Sequence, residues 1–358
     1  MEGYYADEAA SEFTDIPATD TPVWILGVKY NALHDAAQIK KDICTKIWVT
    51  YRKGFVPIGD TEGITSDKGW GCMLRCGQMV LAQALVNLHL GRDWTWSPET
   101  KTAEYLQIIH RLEDRRQAPF SIHQIAQMGV SEGKAIGQWF GPNTVAQVLK
   151  KLVKYDDWTS LEIHVALDNL LIINDIRELC KTGGISWKPL LLLVPLRLGL
   201  NEINPIYIKA LQNCFKFHQS LGIIGGKPNM ALWFMGFMGN EVFCLDPHTT
   251  QKSGTIGKKE TEDEILVDLT YHCRKAPRMN ILTMDPSIAL CFFCKTEKDF
   301  NDLCDNIKEH VVTSDNQMLF EIILNKPTAY FSESFAESPK HSPNLTKHSE
   351  DSDEFEVL

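Results

Sequence analysis

Apolar residues recur every three to four positions over residues 35–49, 73–90, 102–112, 122–127 and 142–154, the spacing that lines one face of an α-helix. The first half of the chain is therefore predicted to be mostly helical. Pro142 suits the first turn of the last of these helices, where the N–H it lacks has no intrahelical partner anyway. From about residue 155 the pattern changes to short apolar runs at 161–166, 190–196, 231–237, 242–245 and 288–294, separated by turn-forming residues, which predict strands. Helical interludes are expected at 173–180, 205–215 and 297–312. A helix-rich half followed by a strand-rich half implies an α+β protein with a cleft between the halves. The chain shows no internal repeat.

The ends read differently. Residues 1–20 are rich in Ala, Asp, Glu and Thr without periodicity and are expected to form a flexible arm, with order beginning near Val23. Beyond about Lys326 the composition is Ser, Glu, Asp, Pro and His, too poor in apolar side chains for a core. The expected organisation is thus an N-terminal arm (1–20), one folded domain (21–325) and an acidic tail (326–358). That tail closes on Phe355 and Leu358 behind a cluster of acids, two large apolar side chains that disorder alone does not require.

Composition narrows the classes. A chain of 358 residues with 44% hydrophobic content can bury one large core, alone or with a smaller lobe. Its formal net charge of -10 argues against a nucleic-acid groove. No apolar run approaches the roughly 18 residues of a membrane span, and the acidic start resembles no signal peptide, so a cytoplasmic protein with reduced thiols is expected. Among the ten cysteines the one pair with zinc-ligand spacing is Cys291 and Cys294, in an apolar run. Strand alternation would put these two thiols on opposite faces, so we read them as core and expect no metal.

The strongest chemical signal is Gly69-Trp70-Gly71-Cys72-Met73, followed at once by a helix-forming run. Two glycines permit a tight turn and a close approach of substrate to the backbone, and they set Cys72 in the first helical turn. There the positive end of the helix dipole favours the thiolate, the form that attacks carbonyl carbon. Far downstream, Asp246-Pro247-His248 offers a base and a carboxylate to orient it: in an extended strand, residues two apart share a face. Taken alone, the same residues also read as a turn. His89, His110, His123 and His164 lie in regular segments and read as structural, and Cys76, one helical turn beyond Cys72, reads as a packed thiol.

At this point the residues resemble a known family. The blocks Ser66-Asp67-Lys68-Gly69-Trp70-Gly71-Cys72-Met73-Leu74-Arg75-Cys76-Gly77-Gln78 and Leu245-Asp246-Pro247-His248-Thr249-Thr250-Gln251 are similar to the two signature blocks of the autophagins, the cysteine proteases that process ubiquitin-like autophagy modifiers. Further stretches match in the same order: Pro22 to Gly27, Ala126 to Val130, Gly137 to Thr144, and Gly225-Gly226-Lys227-Pro228-Asn229. The similarity covers roughly residues 20–325.

The resemblance implies a papain-like fold with a small accessory subdomain. It implies a cofactor-free, monomeric peptidase that cuts after the C-terminal glycine of the modifier precursor and frees the modifier from phosphatidylethanolamine, reaching the autophagosomal membrane only through its substrate. By the family pattern Cys72 is the nucleophile, His248 the base, Asp246 its orienting carboxylate and Tyr51 an oxyanion donor, although local sequence fits a structural phenol at Tyr51 equally well. Trp139 matches a tryptophan that covers the channel for the modifier's tail, together with a mobile loop taken to be Phe217-His218-Gln219. Relatives usually carry proline where this chain has His218. Phe355 and Leu358 have the spacing of the short motifs that bind these modifiers by adding a strand, and Phe13 and Ile16 share that minimal spacing. The rivals are an acyltransferase built on the same Cys-His-Asp set and a catalytically idle adaptor.

Overall fold

The strand Leu190–Arg197 opens with four leucines and a valine, without polar alternation, which demands cover on both faces. It receives that cover. Leu191 and Leu193 enter one apolar cluster, while Leu190, Leu192 and Val194 enter another on the far side of the sheet. In the computed structural model, which describes residues 15–59, 63–181, 186–275, 277–312 and 318–326, this strand belongs to a mixed sheet. The order is Arg278–Asn280, Glu241–Leu245, Met230–Met238, Ser220–Lys227, Ser287–Cys294, Leu190–Arg197 and Glu162–Val165. The hairpin of Pro22–Ile25 and Val28–Asn31 joins through Met230–Met238. Only Glu162–Val165 pairs in parallel within this sheet.

Helices cover each face. Ala36–Thr45, Cys72–His89, Ala103–Leu112, Ile122–Gly129 and Pro142–Leu152 bury their apolar stripes in the first cluster. Ile173–Cys180, Ile208–Lys216 and Glu297–His310 bury theirs in the second. The helical first half is therefore one layer against the sheet rather than a lobe facing a separate strand lobe. This corrects the expectation of two halves, because uninterrupted apolar strands leave no face free for solvent. Cys291 lies in the first cluster and Cys294 in the second, on opposite faces as their spacing requires.

Several elements escaped the apolar pattern. Ser220–Lys227 is a buried strand although three of its eight residues are glycine. Gly222 and Gly226 sit where an added Cβ would fall about 2 Å from a carbonyl oxygen of the neighbouring strand, so the pairing itself requires them. Glu262–Leu269 is a helix opened by a capping box between Thr261 and Glu264, a signal that was present in the sequence. The helix expected over 35–49 stops at Thr45, and residues 46–51 run on extended toward the site. Described residues up to Leu324 form one unit, and only Asn325 and Lys326 of the following one are described. Phe13, Phe355 and Leu358 lie outside the described residues, whereas Ile16 is partly buried against the core. Among the described residues, no helix is long and apolar enough to cross a membrane.

Candidate active site

The turn before Cys72 uses its two glycines for different reasons. Gly69 has φ +90°, a left-handed conformation that a side chain would strain. Gly71 has an ordinary φ of -85° but no room: a Cβ there would lie 2.2 Å from Oδ2 of Asp67. The Asp67 carbonyl accepts from the backbone N–H of Gly71 at 2.9 Å and of Trp70 at 3.2 Å, which closes the turn. Cys72 then becomes the first residue of the helix Cys72–His89, buried, with its thiol at the positive helix end. Every residue from Cys72 to Val86 is buried, so Cys72 rides on a tightly packed helix.

The base approaches from the far end of the sequence. The strand Glu241–Leu245 ends at Leu245, and Asp246 to Thr249 form a turn, which corrects the extended geometry inferred from spacing. Oδ1 of Asp246 accepts the backbone N–H of His248 at 2.9 Å and lies 2.5 Å from Nδ1 of the same ring. A carboxylate that caps the amide two residues on makes an Asx turn, and this one orients the imidazole as well. Three further bonds lock the turn to the extended segment before Lys53. Trp48 Nε1 donates to the Asp246 carbonyl at 2.7 Å, Tyr51 N–H to the Pro247 carbonyl at 2.8 Å, and Gln251 N–H to the Tyr51 carbonyl at 2.9 Å. Tyr51 and His248 meet edge to face, with centroids 5.3 Å apart.

Electrostatics sharpen the arrangement. Burial pushes the Cys72 thiol up, but His248, the Ala231 amide and the Tyr51 hydroxyl around the sulfur together outweigh it, and the net direction is down. Burial also opposes charge on His248, yet Asp246 and then Cys72 raise it to about 9. Both shifts favour the thiolate–imidazolium form of the pair over the neutral one. Nε2 of His248 is buried and has no hydrogen bond of ordinary geometry, so its attraction to sulfur is looser than a regular bond, as is common before substrate arrives. Burial, then Cys72, holds the Tyr51 phenol well above its usual value, so it stays a neutral donor.

A cysteine beside a histidine oriented by an aspartate is the constellation of thiol hydrolases, and comparison with known proteins decides among them. Residues 36–306 match the peptidase C54 catalytic domain. The chain belongs to the C54 peptidases, the autophagins. It is 48% identical over 343 residues to chicken cysteine protease ATG4A, covering 88% of this chain and 89% of that protein. Chicken cysteine protease ATG4B is 46% identical over 382 residues, covering 98% and 94%, and human cysteine protease ATG4A is 48% identical over 349, covering 88% and 86%. This C54 peptidase is accordingly a cysteine protease of autophagy.

Trp139 is 43% exposed and borders a small pocket that Met73, Pro142, Lys227, Asn229 and Met230 also line. The last three belong to the hairpin turn between Ser220–Lys227 and Met230–Met238. Phe217, His218 and Gln219 are not brought there. Phe217 is buried in the second cluster against Phe292 and His310, behind the sheet. His218 faces Asp299 at 3.7 Å and Asp302 at 3.5 Å, and Gln219 donates to Asp302 at 2.8 Å. The unusual His218 thus belongs to a surface remote from the Trp139 pocket. The opposing segment carries Gly-Gly-Lys-Pro-Asn between two apolar runs, a hairpin signal that the sequence contained.

The other expected bystanders are engaged elsewhere. His123 Nε2 bonds the Val56 carbonyl at 2.7 Å, His110 Nε2 the Gly257 carbonyl at 3.0 Å, and His89 stacks on Trp158. His164 is pushed down to about 4, chiefly by burial. Burial, then the neighbouring Cys72, pushes the Cys76 thiol well up and keeps it protonated. Sequence reasoning missed the charges beneath Cys72. Arg75, fully buried, donates from Nε to Asp67 at 2.8 Å and from Nη1 to Asp114 at 2.8 Å and Gln78 at 3.0 Å. Both Asp67 and Arg75 lie inside the first signature block, but nothing local marks either as buried.

Proposed function

We propose that this C54 peptidase hydrolyses the bond after the C-terminal glycine of ubiquitin-like autophagy modifiers, in the precursor and in the phosphatidylethanolamine conjugate. The observation that carries the reading is Cys72 at a helix N-terminus, facing an Asp246-oriented His248 and the Tyr51 phenol, beside a narrow pocket under Trp139. Cys72 attacks the glycine carbonyl carbon as thiolate, and Tyr51 with backbone amides takes the charge that develops on oxygen. The His248 imidazolium protonates the leaving amine, then as a base activates the water that hydrolyses the thioester, with Asp246 holding its tautomer throughout. The residues need no cofactor for these steps.

We assign the channel cover to Trp139 and the hairpin turn at Lys227 to Met230 rather than to Phe217-His218-Gln219, since the former line one pocket together. A glycine backbone without Cβ suits so narrow a passage. The papain-like reading follows from the central helix bearing Cys72 packed on a sheet bearing His248, with the helices over the second cluster as the accessory part. We read the protein as a cytoplasmic monomer whose Phe355 and Leu358 add a second, tethered grip on a modifier. The deciding experiment is intact-mass measurement of modifier precursors incubated with the chain. Loss of the residues after glycine by hydrolysis, abolished by Cys72→Ser, supports the reading. Transfer to an added amine would favour the acyltransferase, and no mass change the idle adaptor.

A further inference from the structure

Asp67 ties together the two segments that must meet for the oxyanion site to exist. Its side chain is fully buried. Oδ1 accepts the backbone N–H of Arg52 at 2.7 Å and Nη2 of Arg75 at 3.0 Å, and Oδ2 accepts Nε of Arg75 at 2.8 Å. Its own N–H donates to the Arg52 carbonyl at 3.3 Å, so residues 52 and 67 clasp each other twice. Arg52 directly follows Tyr51, while the Asp67 carbonyl closes the turn that presents Cys72. Arg75, one helical turn beyond Cys72, grips the same carboxylate with two nitrogens and is itself held by Asp114 and Gln78. The carboxylate therefore fixes the Tyr51 segment to the start of the Cys72 helix from beneath.

We infer that Asp67, clamped by Arg75, is a positioning residue for the reaction: it sets the Tyr51 hydroxyl against the Cys72 sulfur. A purely structural buried pair would need no bond to the backbone of the residue beside the oxyanion donor. Substitution by asparagine removes the charge and turns an N–H toward Arg75 or Arg52, two donors facing a donor. The Tyr51 segment then loses the carboxylate bond at the Arg52 amide, while the Arg52 carbonyl still accepts from the residue 67 N–H and Ser66 Oγ and Tyr51 stays bonded to the His248 turn through Pro247 and Gln251. The nucleophile and base stay paired, and the oxyanion donor is mispositioned.

This inference rests on the reading of Tyr51 as oxyanion donor, and a double-mutant cycle separates the two. Four proteins are compared on a soluble modifier precursor: wild type, Tyr51→Phe, Asp67→Asn and the double variant. Tyr51→Phe is expected to lower kcat about 100-fold, the scale of a lost oxyanion donor. Asp67→Asn is expected to lower kcat about tenfold or more with KM changed less than about threefold, and to cost less than about twofold once Tyr51 is Phe. Its fall in Tm should be the same in both backgrounds, which is what a structural role alone would give for kcat as well. Equal kcat factors in the two backgrounds overturn the inference about Asp67 and leave Tyr51 standing. A Tyr51→Phe loss below about threefold removes the Tyr51 reading and the coupling with it. Arg75→Lys keeps the buried positive charge but loosens the two-nitrogen grip. It is carried through the same cycle, so the result does not depend on Asp67→Asn folding.

Discussion

Gly71→Ala tests the packing beneath the nucleophile. The added Cβ would stand 2.2 Å from Oδ2, 2.6 Å from Cβ and 2.8 Å from Cγ of Asp67, whereas ordinary contact begins near 3.4 Å. The carboxylate must move by about 1 Å, but it has no slack, since both oxygens bond to the Arg52 amide and the Arg75 guanidinium in a fully buried site. Overpacking of this kind costs about 1–3 kcal/mol, and loss of a hydrogen bond to a charged group about 1.5–3 kcal/mol. We therefore expect a destabilisation of about 3–5 kcal/mol, which at about 2–4 °C per kcal/mol lowers Tm by about 6–20 °C. Gly69→Ala is the comparison. It has open space around it and strains only a left-handed backbone, for about 1–2 kcal/mol. Thermal melts followed by near-UV circular dichroism measure both. Should Gly71→Ala melt within about 1 °C of wild type, or no deeper than Gly69→Ala, the placement of Asp67 against residue 71 is wrong.

Cys72→Ser should leave substrate binding and Tm nearly unchanged and reduce hydrolysis by about 10⁴-fold or more in single-turnover assays; residual activity above one part in about 10³ counts against its role as nucleophile. Asp246→Asn removes the main support of the raised His248 pKa. That raised value stabilises the fold fully below pH 6.5 and is lost as pH climbs through about 9, for at most about 3.5 kcal/mol at about 1.4 kcal/mol per pH unit. The wild-type advantage in denaturant melts should accordingly shrink between pH 7 and 10, and a constant difference would rule out the Asp246 pairing as its source. Gly226→Ala drives a Cβ to 1.9 Å from the Met230 carbonyl oxygen, so it should displace the hairpin turn. We expect kcat/KM for protein precursors to fall at least tenfold, with iodoacetamide alkylation of Cys72 little changed; equal losses would argue against a channel role for that turn. Changing Phe355 and Leu358 to Ala should spare a short reporter peptide and raise KM for vesicle-bound conjugate, and identical parameters on both substrates would leave the tail without a binding function.

Much of the active site was readable before any tertiary contact was known, because its pieces are local. A glycine-rich turn running into a helix sets a cysteine at a helix start through bonds spanning at most four residues, as those from Gly71 to Asp67 do. Asp246 and His248 meet across two residues, through a turn rather than the strand pleat, the second of the two shapes their spacing allowed. Most helices likewise followed from apolar spacing, and the thiols of Cys291 and Cys294 fell on opposite faces by alternation alone.

What lay beyond the sequence depended on which layers meet. The glycine-bearing strand Ser220–Lys227 is a strand because two neighbours pair with it. Trp139 shares a pocket with the hairpin turn at Lys227 and not with the segment at His218, a choice set by the order of strands in the sheet and by Phe217 burying itself on the other face. The clasp of Asp67 by Arg75 and by the Arg52 amide is the clearest case. Charged residues at a loop and a helix start read as solvated until the fold removes water from all of them at once, and only then does an unpaired charge become too costly to leave without a partner. Local bonding could place Cys72 at its helix start and orient His248 by itself; tertiary burial decided what holds the two in register.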